Sequence, residues 1–356
     1  QPLLGRAVDL RGQPRVQLPA AVASALAVLW LVAAGTGAPV WAFVAVALAG
    51  LCTPPLEGGL RALWPSVLGR GDRVHRAYAL DAVAQEVMFT VGPLLVTALV
   101  ALRSPAAALL VLHAVGVLGA LSVVVSKPSR AWRAGAREAH WLGALRSPGL
   151  LALLGCFLFV GVALGSITVA GVAYADGTGR ASVYGWLMAA LGLGALLGGS
   201  VYGARAWTGA PERRLLVLVA LLAVCYLPLA LTPGPVAMTL LSVLAGVFLA
   251  PTLACAFVAV DRQAPPGTVT EAFSWLVTTF QVGSALGTAA AGPVAQHEGA
   301  SAGFAVAGAA GIAALIVLAA TGRVLAVPAR PRNTAAPAEN DRSGAAEPGF
   351  SSGHQA

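Results

Sequence analysis

The chain has 356 residues, 58% hydrophobic and only 10% charged, with a net charge of +8 and an isoelectric point near 10.0. A water-soluble domain of this length needs more surface charge, and long charge-free runs recur throughout, which leaves a polytopic helical membrane protein. The basic excess does not point to nucleic acid, because Lys and Arg lie between hydrophobic runs and form no patch interleaved with aromatics. Cys52, Cys156, Cys225 and Cys255 all fall within apolar runs without CxxC spacing, so they read as small buried hydrophobes and not as metal ligands or disulfides.

In chain order the apolar runs define ten spans: 17–35, 39–60, 78–102, 104–126, 148–174, 181–206, 215–232, 235–260, 268–295 and 301–322. Each reaches or approaches the ~20 residues that carry a helix across ~30 Å of hydrocarbon. The longest polar interruption follows the fourth span and holds Lys127, Arg130, Arg133, Arg137 and Arg146 against one acid, Glu138. Positive charge near span ends resists translocation, so this loop belongs on the cytoplasmic side. With the loop placed there, only Arg103 and Arg180 of the 22 Lys and Arg residues fall outside, and both termini are cytoplasmic. The expected organisation is an N-terminal bundle (1–126), a basic linker (127–147), a C-terminal bundle (148–322) and a tail (323–356). From about Pro328 that tail turns to Pro, Ala, Ser and Gly with too little to bury for an ordered fold.

A weak repeat relates the two bundles. Gly5-Arg-Ala-Val-Asp-Leu-Arg11 matches Gly199-Ser-Val-Tyr-Gly-Ala-Arg205 in its glycine-to-arginine frame. The second copy follows two spans of its bundle, whereas none precedes the first. If the halves are copies, as in many transporters, two further spans are expected ahead of Gln1.

The stretch from Gly5 to Arg15 resembles the signature loop between the second and third spans of the major facilitator superfamily. It keeps Gly5, Asp9, Arg11, Gly12 and Arg15 but lacks the basic residue usual directly after the aspartate. This resemblance, with the span count and the central basic loop, extends over residues 1–322. It implies an all-α, two-bundle transporter with ten of twelve spans visible, in which 17–35, 104–126, 215–232 and 301–322 are outer scaffold and the others line a cavity. Gly92-Pro93 resembles the centre of the family's antiporter motif, although Met88, Val96 and Thr97 replace its flanking glycines.

Ionisable groups at membrane depth are costly facing lipid, so the few present are expected to face the bundle interior. Glu86 lies close to the midplane, where a carboxyl suits picking up and releasing a proton; the alternative is a structural hydrogen bond. Glu57 and Arg61, four apart, share a helix face just after Pro54-Pro55; they are either a local ion pair or a cytoplasmic gate that exchanges partners with Asp9 or Asp81. Asp81 also suits the positive end of its helix. Thr268 and Glu271 have capping-box spacing, Gln281 is a cavity candidate, and His113 reads as a satisfied core histidine. Gly283, Gly287, Gly194 and Gly198 have the spacing of close helix contacts.

The function expected is secondary transport by alternating access, with proton-coupled export of a small hydrophobic or amphipathic compound by a monomer in the plasma membrane. Its partners are that compound, protons and the bilayer, with no cofactor, metal or nucleic acid. The alternatives are a membrane-embedded enzyme and a transporter fragment without function. HExxH and a P-loop are absent from the sequence, and Gly165-Ser166 and Gly283-Ser284 lack the rest of a Gly-x-Ser-x-Gly elbow, so these motifs lend no support to zinc-hydrolase, serine-hydrolase or ATP-driven chemistry there.

Overall fold

The computed structural model describes residues 1–35, 39–69, 71–135, 140–180, 182–207 and 209–326, apart from the side chains of Thr90, Pro93 and Leu94. Arg70, Arg137, Glu138, Arg330, Arg332, Arg342 and the tail from 327 lie outside this set. Among the described residues there is no strand. The first half comprises α1 (Pro2–Arg11), α2 (Gln13–Ala34), α3 (Pro39–Leu51), α4 (Leu56–Leu68), α5 (Asp72–Leu102) and α6 (Pro105–Val125). A short α7 (Lys127–Ala131) and a 3-10 turn over Gly143–Arg146 form the connector. The second half comprises α8 (Pro148–Gly177), α9 (Ser182–Ala204), α10 (Pro211–Tyr226), α11 (Pro235–Val247), α12 (Leu249–Gln263), α13 (Val269–Glu298), α14 (Ala300–Ala320) and the short α15 (Gly322–Leu325).

The ten expected spans each correspond to helix, two of them interrupted. Pro54-Pro55 ends α3 and restarts the chain as α4, because neither proline offers an N–H and each disfavours helix in the residue before it. Between α11 and α12 the helix breaks at Phe248, because Pro251, four residues after Val247, has no N–H to donate to the Val247 carbonyl. Among the described residues eight segments are long and apolar enough to cross a membrane by length and composition. The two long helices outside that set are α5 and α13, which carry Glu86 and Gln281.

Two boundaries differ from expectation. The signature stretch is helix up to Arg11 and turns at one residue, Gly12, whose φ of 87° suits glycine. The expected tail begins as α15, where Leu325 is buried and its carbonyl accepts from the Gln263 amide at 2.9 Å.

Successive helices reverse direction, so the ends bearing Arg11, Arg73, Lys127, Arg146, Arg213, Arg262 and Arg323 gather on one side, the basic end. Here α5 leaves its own half: Val74, Tyr78, Ala79 and Ala82 are buried in the same core as α8 to α14. Elsewhere the first half shows much apolar surface, including Trp41, Phe43 and Leu118, which a bilayer covers. At the opposite end Trp30 and Trp41 lie 5.8 Å apart, a placement that suits the membrane interface.

Candidate functional site

The two halves meet at the basic end through backbone-close helix contacts. Gly5 of α1 faces α13: a Cβ there would overlap the Ser274 hydroxyl and lie 3.0 Å from the Thr270 carbonyl. Gly58 of α4 approaches the same turn, 3.2 Å from the Thr270 carbonyl by the same measure. One turn beyond Gly5, the buried Asp9 accepts the backbone N–H groups of Thr270 at 3.1 Å and Glu271 at 2.8 Å. These are first-turn amides of α13, so Asp9 caps a helix of the other half. Burial pushes the Asp9 carboxyl up to about 7, while hydrogen bonds from Glu271 and Thr270 pull it down and the Glu271 charge adds to the rise.

The expected capping box is therefore not formed. The Thr268 hydroxyl donates instead to the Pro265 carbonyl at 2.8 Å, and Glu271 reaches out of its helix to accept the Ala144 N–H at 3.2 Å. Gly143, at φ 55°, makes room for that carboxylate. From the first half, Arg6 donates to the Trp141 carbonyl at 2.8 Å. The connector is thus held from both sides of the joint.

The repeat places a second joint opposite the first. Gly199 faces Val83 of α5 and Gly203 faces Ala79, as Gly5 and Asp9 face α13. Here the polar groups differ. Arg214 lies over the rings of Tyr202 and Trp207, at 5.5 and 5.3 Å, and Arg262 pairs with Glu212 at 3.1 Å. His75, on α5, is held below its ordinary pKa first by desolvation, then by Arg214 and Arg262, with Asp72 opposing.

Arg61 is the charged hub of the first half and is 1% exposed. Its Nη2 lies 3.3 Å from Glu57, as the four-residue spacing predicts, and 3.2 Å from the Gln85 amide oxygen. Its Nε binds Asp81 at 2.5 Å. Asp81 does not serve the helix dipole, because α5 begins at Asp72 and leaves Asp81 beyond the first turn. Gln85 went unforeseen, yet it lies one turn after Asp81 on the same face.

Farther from the basic end, Glu86 stands midway along α5, 7% exposed, one turn beyond Ala82 and Val83 on the face turned to the second half. It has no ion-pair partner among the described residues. Gln281 is exposed and follows Ser274 by two turns, which puts it on the α13 face that meets α1 and α4. The remaining motif residues separate: Gly12 makes the turn, while Arg11 and Arg15 are exposed. Gly92 lies within α5; the Pro93 side chain is outside the described residues. His113 bonds the Leu109 carbonyl of its own helix at 2.9 Å. Among the described residues no group of His, Cys, Asp and Glu could hold a metal ion.

An all-helical membrane protein whose halves close on glycine-lined joints at one end, with polar side chains between them farther in, has the architecture of a transporter. The family model of the Major Facilitator Superfamily matches residues 1–265, and the chain belongs to that superfamily. Its fold is similar to the human organic anion transporter MFSD10, with TM-score 0.67 and 19% identity over 89% of this chain and 79% of that one. It is similar to a bacterial homologue of the iron transporter ferroportin in an outward-facing state, with TM-score 0.68 and 16% identity over 90% and 85%. The outward conformation of the transporter FucP is also similar, with TM-score 0.62 and 13% identity over 89% and 86%. No curated protein sequence matches the chain.

Proposed function

We propose that this transporter exports a small hydrophobic or amphipathic compound in exchange for protons, its halves rocking about a site at the level of Glu86 and Gln281. The observation that carries the reading is Glu86: a carboxyl buried midway along a helix at the interface of the halves, without a cation beside it. Such a group is costly to retain unless it trades a proton or meets cargo. Gln281 adds an exposed neutral hydrogen-bonding group on the α13 face that meets α1 and α4. The scarcity of fixed charge at that depth suits an apolar cargo better than a strongly ionic one, and Gly92-Pro93 favours export. By the distribution of Lys and Arg the basic end is cytoplasmic, as are both termini, and the protein works as a monomer in the plasma membrane.

The test is reconstitution in proteoliposomes carrying an internal pH indicator, with lipophilic compounds offered under an imposed pH gradient. Wild-type protein should move protons only when cargo is present. Glu86→Gln should abolish that coupled flux, and Gln281→Ala should weaken cargo affinity with coupling intact. Undiminished coupling in Glu86→Gln removes the carboxyl from the mechanism, and chemical conversion of an offered lipid favours the enzyme alternative.

A further inference from the structure

The Arg61 hub contains an asymmetry that concerns how the basic end opens. Among the described residues every polar partner of its guanidinium, Glu57, Asp81 and Gln85, comes from α4 or α5 of the first half. The Tyr78 hydroxyl, also on α5, donates to the Arg61 carbonyl at 3.4 Å. Buried Nη1 alone makes no hydrogen bond. What covers the guanidinium is a ring of the other half: Phe257 of α12, its centroid 3.9 Å from Arg61 Cζ. Phe257 is 1% exposed and is held edge-on against Tyr78 at 6.1 Å and Phe273 at 6.2 Å.

We infer that Phe257 is the residue by which the second half recognises the Arg61 cluster when the basic end shuts, through a cation–π contact made and broken in each cycle. The inference rests on the alternating-access reading and adds the chemistry of the closing contact. Had Asp81 or Glu57 been on the second half, each opening would strip a buried cation of its anions, the costly way to separate charges. With the anions on its own half, Arg61 keeps them as the halves part, and only the stacked face is given up. A desolvated cation over a ring contributes strongly enough to bias an equilibrium, yet weakly enough to release. The planar guanidinium also sets the contact apart from a packed hydrocarbon, since an ammonium cannot present the same face.

The test reads conformation, so it stands even if the protein carries no proton. Spin labels on the exposed residues Leu10 and Arg213 report the distance across the basic end in the full chain in nanodiscs. Phe257→Leu keeps apolar bulk but removes the ring face, and should raise the open fraction about tenfold. Phe257→Tyr, which retains the face, should stay near wild type. Arg61→Lys should open the basic end, and combining it with Phe257→Leu should add little further. Phe273→Leu, which alters the same aromatic cluster but leaves the Phe257 ring over Arg61, should open it far less than Phe257→Leu. Equal effects of Phe257→Leu and Phe257→Tyr, equal effects of Phe257→Leu and Phe273→Leu, additivity in the double variant, or no shift in any variant would each overturn the inference.

Discussion

The joint between α1 and α13 predicts that one methyl group at Gly5 will wedge the basic end open. In Gly5→Ala the new Cβ lies 3.0 Å from the Thr270 carbonyl and 3.0 Å from Ser274 Cβ, and overlaps the Ser274 hydroxyl. The hydroxyl can turn away, but the carbonyl belongs to helical backbone and yields only if α1 and α13 separate. Overpacking of this kind costs about 1–3 kcal/mol, and since it falls on the closed form alone it should raise the open-to-closed ratio roughly 5- to 150-fold. Val8, fully buried beside the joint, provides the readout: as Val8→Cys, in a chain with the native cysteines replaced, it should react with a maleimide only on opening. Gly50→Ala serves as control, because its Cβ meets nothing within 4 Å. Ser274→Gly should relieve part of the Gly5→Ala effect by removing both side-chain obstacles while the Thr270 carbonyl stays in place; among the described residues that serine bonds the Thr270 carbonyl of its own helix. Labelling at the wild-type rate in Gly5→Ala, or no suppression by Ser274→Gly, would refute the assignment of this contact as the one that closes.

Two further predictions concern the same end. Asp9→Ala leaves two buried N–H groups of α13 without an acceptor, about 1–3 kcal/mol each, and should open the joint more than Asp9→Asn, which keeps one acceptor oxygen; equal distance distributions for the two variants would sink this. Proton linkage should act in opposite senses at the two joints. Asp9, raised from 3.8 to about 7 in the closed form, favours closure in acid and loses that contribution as pH rises through about 7. His75, lowered from 6.5, contributes fully above 6.5 and loses its contribution as pH falls through its lowered value against Arg214 and Arg262. Acidification from pH 8 to 5 should therefore loosen Asp9→Asn and tighten His75→Gln, and the same slope in both would contradict the assignment.

Much of the architecture is legible in local pattern. Hydrophobic length marks the spans, and the prolines at 54 and 55 mark the break before α4. The spacing of Glu57 and Arg61 states that they can pair, because i and i+4 share a helix face whatever the rest of the fold does. The glycine frame shared by Gly5 and Gly199 locates both joints, since close helix approach tolerates little else. What escapes is set by packing between distant segments. Nothing near Asp9 in sequence says that it will cap a helix beginning some 260 residues later, and Thr268 and Glu271 look self-sufficient until Asp9 and Ala144 intervene. Phe257 reads as one apolar residue among many; only its place over Arg61 distinguishes it. The break at Phe248 was readable from Pro251, but a proline inside a long apolar run is easily taken as a mild kink.

The borrowed cap on α13 also bears on the kind of motion that opens the basic end. Thr268 and Glu271 have turned their side chains to other partners, so the first amides of α13 have an acceptor only while the halves touch. When Asp9 withdraws, those amides must find water, and the first turn becomes free to unwind. Opening then carries a small helix–coil transition at the head of α13, and amide hydrogen exchange at Thr270 and Glu271 should report how often the transporter turns over.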